Sequence, residues 1–534
     1  MRQRFRHFPQ LNKTCVIMAC LHFLLSFFTD RLIFLYVTWD FSDPKQTIKT
    51  ILTCGCKMVF FLLLLLLWHG LWWFIKKADA GFRRYTLIYF AINLLLLVFT
   101  WPGIWRMDEF GIFSNAIRLQ PVFWQNYLTS IFYIFSVMLV PTPAGVILVQ
   151  IAINSLITGW VIRKMTVRLQ KGKDRPQGDA KTVCLCYLPF LFFPVIDSNL
   201  YPMRMSVYAF LELLLIVLLY EEKEKSFRTA FLWKIAALGA VVTVWRTEAI
   251  YYLAAIPVLI VVLFCKSWTK KEKQKTILCY LFMTLFLFVP QQLGNQLTSG
   301  NEYDLTSVVL PVVPLVEEAA KHEDAKGILS KIDRVISVQT ALEGAKENRS
   351  GISLYWSRRD EFVREYTDSD YRAFKHAYYR LVLKYPAVFL KERWDCFVHS
   401  TDLLENTTEL FVKEGVPNYD TFRTYFGVKP VSDRLRTTVI RLLEWRKNGD
   451  QEQKRAGYGV VYSALPPILF LIAVCFALLR RKEWGKALLL ATVLAKVPLI
   501  FLTAPSRLFM YYYSVYLIGY VLLIAGILGK RQRD

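Results

Sequence analysis

Long apolar runs constrain this chain more than any motif does. Residues 52–75 (ILTCGCKMVFFLLLLLLWHGLWWF), 458–479 and 506–528 are near or above the roughly 20 apolar residues that cross a hydrocarbon core as a helix. A chain that is 55% hydrophobic and 15% aromatic, with its apolar residues gathered in blocks, has too little polar surface for a soluble globule. The pattern predicts an all-α polytopic membrane protein. Transmembrane helices are expected near 14–38, 52–75, 84–101, 144–162, 181–196, 205–220, 229–245, 249–265, 276–292, 458–479, 485–503 and 506–528, about twelve in all.

The net charge of +24 does not signal nucleic acid, because no basic stripe is interleaved with exposed aromatics. Lys and Arg sit instead in short loops between apolar blocks. With both termini cytoplasmic, most of them fall in cytoplasmic segments, as the positive-inside rule requires. Segment 126–140 (QNYLTSIFYIFSVMLV from 125 on) would invert that arrangement if it crossed. It is short and is closed by Pro141 and Pro143, so it is read as an interfacial or re-entrant helix. Three regions follow: a transmembrane region 1–294 with an outer loop 102–143, a mostly helical extracytoplasmic domain 295–456, and C-terminal transmembrane helices 457–534. No signal-peptide cleavage site is evident, and the first helix is expected to stay as an anchor in a bacterial cell membrane. Of ten cysteines only Cys396 lies in the large polar stretch, which therefore has no internal disulfide; Cys54, Cys56, Cys184 and Cys186 read as packing residues.

Charges at membrane depth are costly and point to function. Asp108 and Glu109 close the run Trp101-Pro102-Gly103-Ile104-Trp105-Arg106-Met107-Asp108-Glu109, where Pro and Gly break the helix. Either an acid pair that removes a proton from a hydroxyl, or a helix-capping pair at headgroup level, accounts for them. Asp197 and Arg204 flank a second outer turn, Arg246 and Glu248 a third, where they can also pair with each other. Arg507 precedes Tyr511, Tyr512 and Tyr513 in the last turn, and a guanidinium there is suited to fork onto a phosphate. Lys496 lies in the preceding helix.

This layout resembles the GT-C glycosyltransferases, polytopic enzymes that take sugars from polyprenyl-phosphate carriers. Asp108-Glu109 and segment 126–140 match that superfamily's acidic first outer loop with its membrane-parallel helices; Asp197 matches a second acidic residue, and Arg507 with the tyrosines a late basic-aromatic turn. The resemblance implies an inverting transfer to an acceptor hydroxyl of a glycan, lipid or protein, with Asp108 as base beside Glu109. Arg507, Arg246 and Lys496 would hold the donor phosphate, and Arg204, Glu248, Tyr511 and Tyr512 would line the substrate site. A divalent cation (Mg or Mn) on Asp108, Glu109 and Asp197 stays open, because hard cations usually recruit more oxygens. The chain departs from the family in having two helices before the Asp-Glu loop and its soluble domain inserted before the last three helices. A transporter or flippase for a lipid-linked saccharide, and an O-antigen-ligase-like transferase, are the alternative readings. An acyltransferase would want an intramembrane histidine, for which only His22 and His69 qualify. The sequons at Asn348 and Asn406 matter only in a eukaryotic secretory pathway.

Overall fold

The computed structural model describes residues 12–30, 41, 43–105, 107–169, 180–202, 204–223, 225–298, 302–401, 429–443 and 461–531. Arg106, Asn406, residues 31–38 of the first expected helix, and much of 402–460 lie outside the described residues. Helices make up nearly all of the described structure, with one isolated antiparallel bridge, Ile336 to Val363. Internal contacts divide the chain into two units: Met1–Leu287 with Phe411–Asp450 and Leu517–Asp534, and Phe288–Leu410 with Gln451–Tyr516.

The first unit is built on α1 (Lys13–Ser26), α2 (Pro44–Lys76), α3 (Ala80–Phe99), α4 (Met107–Ala116), α5 (Tyr127–Leu139), α6 (Pro143–Leu169), α7 (Ala180–Tyr187), α8 (Phe193–Leu200), α9 (Arg204–Glu222), α10 (Thr229–Trp245), α11 (Tyr252–Leu263) and α12 (Lys270–Thr298) as far as Leu287, the rest of α12 belonging to the second unit. Helices α3 and α6 pack against each other along much of their length. Gly159 allows it, since a Cβ there would collide with the backbone and Oγ1 of Thr86. Small residues at such crossings let backbones approach where lipid supplies no hydrophobic drive. Between α1 and α2 the buried Lys57 ammonium pairs with Asp30 at 2.6 Å and donates to Ser26 Oγ at 2.7 Å.

In the second unit, α13 (Glu302–Ala319) runs through a core that includes Val309, Val313, Val316, Leu354, Phe374 and Leu381. Around it lie α14 (Lys326–Ile332), α15 (Val338–Lys346), α16 (Gly351–Ser357), α17 (Arg359–Phe362), α18 (Asp368–Lys384) and α19 (Pro386–Ser400). Thr367 and Asp370 form a reciprocal capping box that starts α18. The short α20 (Asp433–Leu443) belongs to the first unit; α21 (Leu465–Arg480), α22 (Trp484–Leu494) and α23 (Lys496–Thr503) belong to the second, and α24 (Tyr513–Arg531) ends the described chain.

The expectation of about twelve spans is corrected. Among the described residues five helical stretches are long and apolar enough to cross a membrane: α2, α3, α6, α12 and the continuous run Trp484–Thr503 of α22 and α23. Residues Ala180–Phe190 and Phe193–Leu200 make a sixth only if taken as one span bent by 61°. Helices do form at the remaining expected positions, but Lys13–Thr29, Thr229–Trp245, Thr247–Leu263, Leu465–Arg480 and the apolar stretch Tyr513–Gly529 of the longer α24 are each 16 or 17 residues long. At 1.5 Å per residue they reach about 25 Å, short of a ~30 Å hydrocarbon core. The remaining one, α9, is long enough but carries Arg204, Glu212, Glu221 and Glu222. Helix α5, at 13 residues, is too short to cross.

Candidate functional site

Helix α3 ends at Thr100, and the chain turns through Pro102 and Gly103 into α4. Gly103 sits at φ 100, and a Cβ there would strike Ile147, so the turn needs glycine. Ile104 N–H donates to Leu200 O at 2.9 Å, and Arg436 donates to Gly103 O at 3.2 Å. Those bonds tie the turn to the end of α8 and to the helix Asp433–Leu443, α20. Asp108 and Glu109 then occupy the first turn of α4, where the helix dipole favours negative charge.

The two carboxylates differ. Glu109 is 1% exposed and accepts a hydrogen bond from the Tyr201 hydroxyl. Asp108 keeps an exposed edge, yet the protein crowded around it pushes its carboxyl above the usual range, opposed by the nearby Arg204 guanidinium. Arg204 in turn donates to Gln125 O, and the Tyr133 hydroxyl to Pro202 O. One carboxylate is locked, and the other is accessible and disposed to take a proton.

Asp197 is buried in α8, the second half of the bent pair. An amide network holds the C-terminal end of α8. Gln150 Nε2 donates to the carbonyls of Ser198, Asn199 and Tyr201 at 2.9, 3.1 and 2.8 Å. Asn154 Nδ2 donates to Asn199 Oδ1 at 2.8 Å, and Asn199 Nδ2 donates to Tyr89 Oη and Asn93 Oδ1 at 2.8 and 2.9 Å. Carbonyls left without an intrahelical donor where a helix ends inside an apolar interior need such partners. The sequence reading missed these amides, although Asn93, Gln150 and Asn154 stand as polar residues within apolar runs and could have been flagged.

Along α9, Arg204, Tyr208 and Glu212 follow one another at four-residue spacing and share a face. Buried Glu212, also missed, accepts from the Tyr252 hydroxyl at 2.8 Å. Arg246 and Glu248 pair with each other, and the Arg246 guanidinium lies 5.9 Å from the Tyr208 ring centre. Asn126 donates to Val244 O at 2.6 Å and Trp245 to Thr129 at 3.0 Å, so the start of α5 is fixed to the end of α10.

The other expected site residues belong to the second unit. Arg507 reaches Asp395 at 2.5 Å and Glu392 at 3.2 Å, both on α19. Burial pushes the Glu392 carboxyl up, and Arg507 opposes the shift. Lys496 opens α23 and donates to Ser514 Oγ at 2.7 Å from a buried position. Tyr511 Oη lies 3.2 Å from Ser506 Oγ, and buried Tyr512 packs edge-on against Phe397. His22 contacts Leu139 O at 3.3 Å; His69 contacts Leu65 O at 2.7 Å and accepts from Asn12 N–H at 3.2 Å. Among the described residues no three His, Cys, Asp or Glu side chains gather closely enough to hold a metal ion, so Asp108, Glu109 and Asp197 do not form a three-carboxylate cation site.

No family model, no curated protein and no solved structure matches the chain.

Proposed function

We propose that this multi-pass membrane protein is a glycosyltransferase that moves a sugar from a polyprenyl-phosphate donor to an acceptor hydroxyl, with Asp108 as general base. The observation that carries the reading is the division between Asp108 and Glu109: two adjacent carboxylates, one clamped by Tyr201, the other accessible with a raised proton affinity and an arginine beside it. In the proposed step the Asp108 carboxylate takes the proton of the acceptor hydroxyl as its oxygen bonds to the anomeric carbon. The bond from that carbon to the phosphate oxygen breaks, and the polyprenyl phosphate leaves with both electrons.

Among the basic residues expected to hold the phosphate, Arg246, Lys496 and Arg507 already serve Glu248, Ser514, and Glu392 with Asp395. The proposal adds Arg204 to them for the donor phosphate, because its charge acts on Asp108, although it too has a partner in Gln125 O. Radiolabelled sugar transfer from a panel of polyprenyl-phosphate donors in proteoliposomes tests it. Asp108→Asn is expected to abolish transfer while donor binding persists, and Arg204→Ala to weaken donor binding. Unchanged transfer in Asp108→Asn would sink the base assignment.

A transporter reading has one observation in its favour: the bent pair of α7 and α8, with buried Asp197 and its amide network, is the kind of interrupted helix that lines substrate paths in secondary transporters. Uptake of a lipid-linked saccharide into proteoliposomes without any transfer product would favour it.

A further inference from the structure

We propose that the outward face of α18 and α19 lies in the headgroup layer of the bilayer and prefers anionic phospholipid. The argument starts from where α19 is fastened. Trp484–Thr503 is a candidate membrane span of 20 residues, about 30 Å long and so matched to the hydrocarbon core. Its end is capped by Ala504, whose carbonyl accepts a 2.7 Å hydrogen bond from the fully buried Arg393 of α19. Phe397 of α19 packs against Phe501 one turn inside that span, with ring centres 6.0 Å apart. The mouth of a full-length span sits at headgroup level, so a helix fastened to it sits there too.

The exposed side of that helix and of α18 has the composition such a level requires. Tyr379 is 56% exposed, Leu383 80%, Leu390 50% and Trp394 55%. A soluble surface gains nothing from that exposure, whereas an interfacial one buries the aliphatic side chains and suits the amphipathic rings of Tyr and Trp. Arg380, Lys384 and Lys391 are exposed among them. The acidic residues of α19, Glu392 and Asp395, are turned toward Arg507 instead. Asp324 is paired with Lys384 of α18 at 2.5 Å, which leaves Arg380 and Lys391 as the cations of this aromatic and aliphatic face that complement a negatively charged lipid surface. This assignment does not depend on the chemistry at Asp108.

The test uses the full chain in nanodiscs of equimolar phosphatidylglycerol and phosphatidylcholine, with the photoreactive residue p-benzoylphenylalanine at position 383, 390 or 394, or at exposed Asp360 on α17 as a control. Irradiation is expected to attach phospholipid at the first three sites and not at 360. Phosphatidylglycerol should be enriched among the adducts, by roughly fivefold for each basic residue close to the lipid. Arg380→Ala with Lys391→Ala should remove that enrichment and leave the adducts. Absence of lipid adducts at all three sites in protein that still binds the nanodisc, adducts equal to the control, or adducts only to a second protein chain would overturn the proposal. Adducts without phosphatidylglycerol preference would overturn its anionic part.

Discussion

At the scale of single residues, adjacent Asp108 and Glu109 have opposite environments. Tyr201 fixes Glu109 in the interior, while Asp108 stays accessible with its proton affinity raised. If Asp108 is the base, transfer must fall as pH drops through its folded pKa. Because that value is raised, the midpoint of the acid limb lies above the ~3.9 of a free aspartate. A rate profile against pH checks this, and a limb centred at or below 3.9 would argue for another base. Tyr201→Phe takes a donor from a buried carboxylate and is expected to destabilise the protein by about 1–3 kcal/mol, read as a lower midpoint of thermal unfolding in detergent. Glu392 is a second case. A carboxyl whose folded pKa is raised binds its proton more readily in the native state, so its contribution favours folding at low pH and is lost as pH rises through the folded value. Glu392→Gln should flatten the decline in stability over that range, and an unaltered pH profile of stability would contradict it.

At the scale of elements, the C-terminal end of α8 is held by Gln150, Asn154 and Asn199. Gln150→Leu takes away the two N–H groups that three backbone carbonyls share, and a loss of about 2–6 kcal/mol is expected from roughly 1–3 kcal/mol per lost donor. Exchange of the amides at 198–201 should rise in that variant more than exchange in α2, and uniform exchange would show that the network does not hold that helix end. The pairing of α3 and α6 rests on the absence of a side chain at Gly159. Gly159→Val should force the helices apart and lower the unfolding midpoint, whereas Gly55→Val on α2, where nothing lies within 4 Å of the new Cβ, should have little effect. Sequence alone located these helices well, since apolar periodicity and length are local properties. It did not reveal which polar residue within an apolar run would serve another helix's broken backbone, because that depends on contacts more than forty residues apart in the chain.

For the whole molecule, the open matter is how many helices cross. Five, or six with the bent pair, have the length, and a set of 16- and 17-residue apolar helices does not. Helix α5 provides a clean test, because its 13 residues reach about 20 Å. Cysteines introduced at exposed Gln120 and Pro141, on either side of it, are expected to react with a membrane-impermeant maleimide from the same side of sealed vesicles. Labelling from opposite sides would show that the segment crosses.

The sequence by itself determined that this chain is helical and made for a membrane, since about twenty apolar residues in a row have few other stable environments. It also placed a charge in each polar turn, because Asp108, Asp197, Arg204, Arg246 and Arg507 interrupt otherwise apolar surroundings. Only the tertiary structure decided which helices are long enough to span and which charge keeps company with which. Arg507 lies against Glu392 and Asp395, more than a hundred residues earlier, and Glu109 against Tyr201. Hydropathy is summed along the chain, whereas the partner of a buried charge is set by folding, which brings distant segments together to offset the cost of removing that charge from water.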